Sequence, residues 1–404
     1  MLPKNQGSHP AITPSLLTII LLIVALMQLT TDLYIPSLPA ITQSLGSKID
    51  IIQLTLAIYM LGYSTSHLVY GPLSDRIGRK IPILAGIGIS ICGSLLCFFT
   101  PNATLLIIGR FIQGIGIGCC NSVGRSLARD LLTDRLLAKV GSQIGMLSVV
   151  ILALSPTLGG YVQDYLGWRA NFAILFIFGL IMWVSIFLFL PETNKHLNPH
   201  ATQMKVMKEN YLLLFRSKVF MGYTLCSCFA GAGLIAYLTI APFLFQEKLG
   251  LSPIQFGWLA FVVAGSIFVS GFINNKMVLK KGIRVMVLIG CILMFIGGLL
   301  MLLLLAIKTS VLTILIPVAV FSLGAGFNFI NAFAGAFDPF PKMAGTTGAL
   351  FGGMQDICAA FASALVALLK LQDQYLLALI LATLGLLSIF AWKYLASISA
   401  NSIK

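Results

Sequence analysis

Gly71-Pro-Leu-Ser-Asp-Arg-Ile-Gly-Arg-Lys80 is a short charged segment between two long apolar runs. It carries one acid and three bases, although only 9% of the 404 residues are charged. The two glycines predict tight backbone turns, and Pro72 predicts the end of the preceding helix. Asp75 is then expected where the next helix begins, within reach of the bases that follow. A loop that only placed positive charge on one side of a membrane would explain the bases, but neither the glycines nor the aspartate.

The composition predicts an integral membrane protein. Hydrophobic residues make up 58% of the chain and the mean hydropathy is +0.98, which is more apolar surface than a soluble domain can bury. The net charge of +14 does not indicate a nucleic-acid partner, because the bases are scattered over short loops without an aromatic platform. All eight cysteines lie in apolar runs and are expected to be packing residues. The histidines, including His67 near the cytoplasmic end of the second span, show no metal-binding or catalytic spacing.

Apolar runs of the chain define the predicted membrane helices. A membrane-spanning helix needs roughly 20 apolar residues, and twelve runs of the sequence qualify. Their approximate limits are 14–38, 51–71, 81–100, 104–126, 139–162, 171–190, 218–245, 253–274, 284–306, 311–335, 343–369 and 373–396. The predicted fold class is therefore all-α, with twelve transmembrane helices.

The polar connections predict the orientation and the division of the chain. Most of the 26 basic residues fall on the cytoplasmic side if both termini are cytoplasmic. The longest polar connection follows the sixth span, and it predicts an N-terminal six-helix bundle at 1–190, a cytoplasmic linker at 191–217 and a C-terminal six-helix bundle at 218–404. Gly271-Phe-Ile-Asn-Asn-Lys276 repeats the start of the charged loop, with Asn275 in the place of Asp75, which supports an internal repeat.

Polar residues inside the spans are candidates for function. In the fourth span, Arg110, Gln113 and Asn121 recur at helical spacing. An arginine at the centre of a membrane helix costs at least ~2.5–3.5 kcal/mol, so Arg110 needs a partner or a task; a structural arginine bonded to backbone carbonyls is the alternative. Asp32 is the one acid of the first span. Both Asp32 and Arg110 lie roughly 10 Å below the outer surface at ~1.5 Å per residue, and this matching depth permits a pair.

Asp356 is a second buried acid, in the eleventh span. It lies ~18 Å into that span at ~1.5 Å per residue, near the middle of the membrane. Asn328 and Asn331 of the tenth span are candidate hydrogen-bond partners. In one interpretation Asp356 is a neutral acid that ties two helices together. In the other it lines the C-terminal wall of a cavity and contacts a polar or cationic substrate group, or a second proton.

Several motifs resemble a known family. The spacing G-x-x-x-D-R-x-G-R-K resembles the loop between helices 2 and 3 of the major facilitator superfamily. The segment Asp32–Pro39, D-x-Y-x-P-x-x-P, is similar to that of the Bcr/CflA subfamily of bacterial drug exporters. Further stretches typical of that subfamily are Ala128-Arg-Asp130, Gly167-Trp-Arg-Ala-Asn-Phe172, Pro191-Glu-Thr193, Phe337-Asp-Pro-Phe-Pro341 and Gly345-Thr-Thr-Gly-Ala349. Asp356 departs from the pattern expected of typical relatives.

The resemblance implies roles for specific residues. The charged loop would form a cytoplasmic gate that latches the two halves in the outward-open state. Its residues are Gly71, Asp75, Arg76, Gly78, Arg79 and Lys80. Asp32, Arg110, Gln113, Asn121, Asp356, Asn328 and Asn331 would line the cavity or couple protons. An antiporter-like motif in the fifth span comprises Pro156, Gly159 and Gly160, although the sequence Ser155-Pro-Thr-Leu-Gly-Gly160 lacks the glycine that normally precedes it.

The resemblance also implies a function. It predicts two pseudo-symmetric six-helix bundles that export small amphipathic compounds by alternating access, as a monomer in the bacterial inner membrane. The proton gradient would supply the energy, and no cofactor is expected. Two alternatives stay open: a carrier dedicated to one endogenous metabolite or siderophore, and a polytopic membrane enzyme or sensor. The last would need a catalytic cluster or an added soluble domain, and the sequence shows neither.

Overall fold

The computed structural model describes residues 14–131, 134–194, 197, 204–340, 343–370 and 373–394. In this part of the chain the regular structure is entirely helical. The α-helices are α1 (Pro14–Asp32), α2 (Leu38–Ser44), α3 (Ile49–Ile77), α4 (Lys80–Phe99), α5 (Ala103–Leu131), α6 (Asp134–Leu166), α7 (Trp168–Phe189), α8 (Met204–Arg216), α9 (Lys218–Pro242), α10 (Pro253–Lys281), α11 (Ile283–Leu304), α12 (Val311–Phe337), α13 (Ala344–Leu369) and α14 (Gln374–Tyr394). A 3₁₀ turn at Ile35–Ser37 joins α1 to α2, and a π-helical turn at Phe243–Lys248 follows α9.

Helices occupy all twelve predicted spans. Eleven described helical segments are long and apolar enough to cross a membrane, the first of them combining α1 and α2. The predicted span that is not among them is α3. This helix is less apolar because it carries buried polar side chains, among them Gln53, Thr55, Ser64 and His67, which face neighbouring helices instead of lipid.

The helix before the charged loop ends later than predicted. Pro72 lies inside α3, which continues to Ile77, so Asp75 is in the last turn of α3 and not at the start of the next helix. Proline removes one backbone donor, yet the helix continues, and the Ser74 hydroxyl donates to the Gly71 carbonyl at 2.8 Å. Gly71 is helical and makes no turn. The helix ends at Gly78, whose φ of +95° is a conformation that glycine adopts without steric cost.

The long helices pack both within and between the predicted halves. We call α1–α7 the N-terminal helices and α9–α14 the C-terminal helices. Among the former, α5 packs against α3 and α4; among the latter, α11 packs against α12 and α14. Two extensive helix–helix contacts join the N-terminal helices to the C-terminal helices: α3 packs against α13, and α6 packs against α10. Part of the connection at 191–217 lies outside the described residues, and the described part contains α8. The division into bundles at these boundaries stays a prediction.

Candidate functional site

The two sets of helices are joined at the end predicted to face outward, which we call the outer end. Among the described residues, four polar contacts cross this interface, three from a side-chain donor to a backbone carbonyl and one between two side chains. They are Thr157 Oγ1 to the Gly257 carbonyl at 2.9 Å, Gln53 Nε2 to the Thr239 carbonyl at 3.1 Å, Gln246 Nε2 to the Pro36 carbonyl at 2.8 Å, and Lys370 Nζ to Asp50 Oδ2 at 3.6 Å. These contacts close the outer end.

A small cavity lies between the N-terminal and C-terminal helices. Its lining combines one carboxylate with mostly apolar side chains, namely Asp32, Leu152, Pro156, Leu234, Tyr237, Leu238, Phe256, Ala260 and Val263. The cavity volume is about 40 Å³, which is space for about one water molecule. Sites for drug-sized ligands occupy about 300–1,000 Å³. A molecule of that size could enter this cavity only after the surrounding helices moved apart.

Asp32 is the charged group of the cavity. It is the last residue of α1 and is 1% exposed. The Gln28 side chain, one turn earlier on the same helix, donates a hydrogen bond of 2.6 Å to Asp32 Oδ2. An ionised carboxylate is costly in such surroundings, although Arg110 is close enough to interact with it electrostatically. Asp32 is therefore placed to bind a proton or a cationic group inside the cavity.

Arg110 is completely buried beside the end of α1, where the 3₁₀ turn at Ile35–Ser37 begins. Its guanidinium lies between the rings of Tyr34 and Tyr59, 4.0 Å and 3.9 Å from their centroids. Its Nη1 donates to the Thr30 carbonyl at 3.1 Å and to Gln113 Oε1. Stacking of a desolvated cation on one aromatic face contributes about 2 kcal/mol or more. The two rings and the two oxygens thus offset much of the cost of burying this charge.

The direct pair between Asp32 and Arg110 does not form in this structure. Asp32 bonds to Gln28, and Arg110 is held by the two tyrosines, with no ion pair between the two described side chains. The two residues do lie at a similar level, because Arg110 bonds to a carbonyl two residues before Asp32. Depth alone, however, does not fix the direction of a side chain around its helix. Their role in proton coupling stays a prediction.

Gln113 and Asn121 extend the polar face of α5. Gln113 Nε2 donates to Ser94 Oγ on α4 at 2.7 Å. Asn121 Nδ2 donates to the Tyr63 hydroxyl on α3 at 3.0 Å. Both amides therefore join α5 to neighbouring N-terminal helices in this state, and their predicted contact with substrate is untested.

Asp356 does not contact the two asparagines proposed as its partners. Asn331 Nδ2 donates to Asn274 Oδ1 at 2.7 Å, and the Asn328 amide lies against the sulfurs of Cys291 and Met294. Both asparagines point toward other C-terminal helices. Asp356 instead faces His67 of α3, a residue that the sequence had placed near a helix end without a function. The only signal in the sequence was that an acid and a histidine lie at similar depth in two different spans.

The charged loop forms a compact network around Arg79. Its Nε donates to Asp130 Oδ2 at 2.8 Å, and its Nη1 donates to Asp75 Oδ1 at 2.6 Å and to Ser74 Oγ at 2.7 Å. Partial burial opposes the charge of Arg79, but the hydrogen bonds and charges of Asp130 and Asp75 raise its pKa above the usual value. The guanidinium therefore stays charged and draws the ends of α3, α4 and α5 together.

Glu192 closes this network from the segment after α7. Its carboxylate accepts hydrogen bonds from the backbone N–H groups of Arg79 at 2.8 Å and Lys80 at 3.1 Å. Desolvation opposes its charge, but these backbone donors hold the pKa of Glu192 below its usual value. Gly78 lies against the same carboxylate, so that any Cβ at this position would clash with it. The sequence motifs around Asp130 and Glu192 were recognised, but their contacts with the loop were not predicted.

The family profile described as Major Facilitator Superfamily matches residues 20–363 of this chain. The chain belongs to the Major Facilitator Superfamily. The predicted family and fold are thereby confirmed, and the protein is a multi-pass membrane transporter of small molecules, not an enzyme.

Several members of the superfamily are similar over nearly the whole chain. Multidrug resistance protein D of Escherichia coli (strain K12) is 31% identical over 384 residues, which cover 95% of this chain and 96% of that protein. The Bicyclomycin resistance protein homolog of Haemophilus influenzae is 27% identical over 374 residues, 92% and 93% of the two chains. The crystal structure of a D-xylose-proton symporter has a TM-score of 0.79 at 17% identity and covers 94% of this chain and 97% of its own. That last similarity shows the shared fold.

The antiporter-like motif of this superfamily member lies at the contact between its helices. Pro156 is inside α6 and lines the cavity. A Cβ on Gly159 would clash with the Leu33 carbonyl at the end of α1, and a Cβ on Gly160 would clash with the Pro253 carbonyl at the start of α10. Because backbone atoms cannot move aside as a side chain does, both glycines are needed for the close approach of α6 to these two helices.

We expect Gly159→Ala to destabilise the protein in this conformation. The added methyl group would force α6 away from the α1 break, an overpacking that costs about 1–3 kcal/mol. Thermal unfolding of the purified transporter should show a lower Tm, and transport should fall with it. Gly145→Ala is the matched control, because a Cβ at Gly145 of the same helix meets nothing within 4 Å. An equal Tm for the two variants would contradict the packing role of Gly159.

We expect Asp75→Asn to reduce transport sharply while the protein still inserts into the membrane. The Asp75 side chain is 50% exposed, so losing its ion pair with Arg79 should cost less than ~1 kcal/mol of stability. A large transport defect would therefore have to arise in another conformation, in which the loop latches the two sets of helices. Transport at the wild-type rate would refute the gate role predicted for Asp75 and its neighbours Arg76 and Lys80.

Proposed function

We propose that this transporter is a proton-coupled exporter of small amphipathic compounds. The observation that carries the proposal is the small, mostly apolar cavity with Asp32 in its wall. An apolar wall binds the hydrophobic part of a substrate by removing it from water. The single carboxylate can then hold either a proton or the polar or cationic part of the substrate. A site that binds one of these two at a time exchanges them across the membrane.

Alternating access would connect this site to each side of the membrane in turn. In the structure the outer end is held closed and the cavity is too small for a drug-sized substrate, so the helices must move before one can bind there. Substrate and proton can drive the cycle only through different affinities for these forms. The proton gradient is then the energy source, and no other cofactor is required.

The names of the relatives support export and suggest substrates. They include Multidrug resistance protein D and a Bicyclomycin resistance protein homolog, as well as the Chloramphenicol resistance protein CraA of Acinetobacter baumannii, which is 27% identical over 277 residues. We infer that this chain likewise moves such compounds outward, across the inner membrane of a bacterium, with both of its termini in the cytoplasm. The missing glycine before Ser155 leaves the export direction resting on these relatives more than on the motif.

Proton flux in liposomes tests the proposal. The full-length protein is reconstituted with a pH-sensitive dye inside the vesicles, a pH gradient is imposed, and chloramphenicol and ethidium are added in turn. These probes share an aromatic body but differ in charge. We expect each to cause saturable proton flux that protein-free vesicles lack. If neither probe causes proton flux but one metabolite or iron chelator does, the protein is a dedicated carrier and this proposal is wrong. No flux with any compound would refute proton coupling.

A further inference from the structure

Helix α8 lies at the inner end of the C-terminal helices, by which we mean the end opposite the outer end. The helices α9 and α13 both finish at the outer end, where Gln246 after α9 bonds to Pro36 and Lys370 after α13 pairs with Asp50. Both of them therefore begin at the inner end, and α8 packs against both. The 13 residues of α8 span ~20 Å at ~1.5 Å per residue, which is too short to cross the ~30 Å apolar core of a bilayer. This places α8 at the membrane surface, where the spanning helices begin.

A single residue separates α8 from the membrane helix that follows it. Ser217 has an extended backbone, with φ of −77° and ψ of 110°, so α8 and α9 do not form one continuous helix. The Ser217 hydroxyl accepts a hydrogen bond from the Phe220 backbone N–H at 3.3 Å, which caps the start of α9. On the other side of this turn, the buried Leu214 side chain joins an apolar cluster that includes Phe220 and Phe351. Leu214 therefore holds α8 against the ends of the C-terminal helices.

Another face of α8 is exposed. Four exposed residues recur along it at positions i, i+4, i+7 and i+8, and we call them the α8 face: Lys208, Leu212, Phe215 and Arg216. This spacing places all four side chains on the same side of a helix. Leu212 and Phe215 are 44% and 47% exposed. The α8 face thus combines two large apolar side chains with a base on either side of them.

The bases of the α8 face have no acidic partner among the described residues, whose ion pairs involve other side chains. Glu209 is the one acid of α8. It directly follows Lys208, and adjacent residues of a helix do not face each other. It precedes Arg216 by seven residues, which is ~10 Å along the helix axis. Lys218, the first residue of α9, is also exposed and adds a third positive charge to this region. The positive charge is therefore available to an anionic partner.

We propose that the α8 face lies on the membrane surface and binds the headgroups of acidic phospholipids. Leu212 and Phe215 enter the boundary between headgroups and acyl chains, which removes their apolar surface from water. Lys208 and Arg216 lie at the level of the headgroups, where each base favours the bound position by roughly fivefold on an acidic membrane. A soluble anion would satisfy the bases but leave the two apolar side chains in water, so the partner is a lipid. This site does not depend on which compound the protein transports.

Collision measurements on a spin label test where the α8 face lies. A ketone amino acid that carries the label is placed either at Leu212, on the face, or at Leu213, which is exposed and lies roughly 100° further around the helix. The full-length protein is reconstituted into vesicles of phosphatidylcholine alone or of phosphatidylcholine with phosphatidylglycerol. Oxygen concentrates in the bilayer and a nickel chelate stays in water. The ratio of their collision rates with the label therefore reports whether the label is in lipid.

We expect the oxygen-to-nickel ratio at Leu212 to depend on the lipid. In vesicles that contain phosphatidylglycerol, it should be several-fold higher than the ratio at Leu213. The difference should shrink in phosphatidylcholine and at high salt, because salt screens the attraction between bases and headgroups. Equal ratios at the two positions in both kinds of vesicle would overturn the proposal and leave the face to a soluble partner. A high ratio at Leu212 that is the same in both kinds of vesicle would overturn the binding of acidic lipids.

Charge substitutions identify the bases responsible. Lys208→Gln combined with Arg216→Gln should weaken the preference of the labelled face for acidic vesicles by on the order of 25-fold, since each base contributes roughly fivefold. Lys280→Gln combined with Lys281→Gln is the matched control, because it removes the same charge from exposed positions at the end of α10 and leaves the α8 face intact. This control should keep the ratio of the wild type. If both double variants lose the preference equally, the net charge of the protein attracts the lipid and the assignment to the α8 face is wrong.

Discussion

Asp32→Asn is expected to abolish proton-coupled transport while the protein remains folded in the membrane. Asparagine keeps the size of the side chain and can still bond to Gln28, so the packing around the α1 break is preserved. It cannot exchange a proton, and it offers no negative charge to a cationic substrate. Proton flux driven by chloramphenicol or ethidium should fall to background, a loss of roughly tenfold or more, equivalent to at least ~1.4 kcal/mol of coupling.

The matched control for this variant is Asp164→Asn. Asp164 is an exposed acid at the outer end of α6, and its substitution removes the same charge from the protein without touching the cavity. It should transport as the wild type does. Proton-driven transport that survives in Asp32→Asn would remove Asp32 from the coupling mechanism and, with it, the main observation behind the proposed function.

Arg110→Lys is expected to inactivate the transporter and to lower its stability, although the positive charge is retained. A planar guanidinium stacks on Tyr34 and Tyr59 at once and still donates to two oxygens, whereas an ammonium group is compact and strongly hydrated. We expect a loss of about 2 kcal/mol or more from the weakened stacking. The measurements are Tm of the purified protein and probe-dependent proton flux in liposomes.

Arg169→Lys is a matched control for this substitution. Arg169 stacks on one ring, that of Trp168, at 4.1 Å, and donates to the Thr100 carbonyl at 2.9 Å near the outer surface. Its replacement by lysine should change Tm less and leave transport intact. If Arg110→Lys behaves like Arg169→Lys, the stacked arrangement in the interior has no special importance and charge alone suffices.

The sequence was informative about position along each helix. The lengths of the apolar runs located twelve long helical segments, eleven of which are apolar enough to cross a membrane. The cost of a buried charge marked Asp32, Arg110 and Asp356 as residues that need an explanation. Pro72 shows one limit of this reasoning. A proline predicts a helix end from local chemistry, but α3 continues past Pro72 to Ile77, and Gly78 makes the actual turn.

The direction of a side chain around its helix could not be predicted. Arg110 and Asp32 lie near the same depth, yet Arg110 turns toward two tyrosines. His67 and Asp356 meet because α3 packs against α13, a contact between residues far apart in the chain that no spacing reveals. The same applies to Asp130 and Glu192, which were visible as acids in recognised motifs. Only the packing of the helix ends shows that both of them reach Arg79 or its backbone.

Closure of the outer end depends on few side chains. Three of its four contacts end on backbone carbonyls, those of Gly257, Thr239 and Pro36. A carbonyl is present whatever residue occupies the position, so mutations on the accepting side keep the hydrogen bond as long as the backbone stays in place. Substitutions that would break these three hydrogen bonds are therefore mainly those at the donors, Thr157, Gln53 and Gln246. An exporter built in this way can change the residues around its outer mouth, and with them the compounds it releases, without losing the ability to shut.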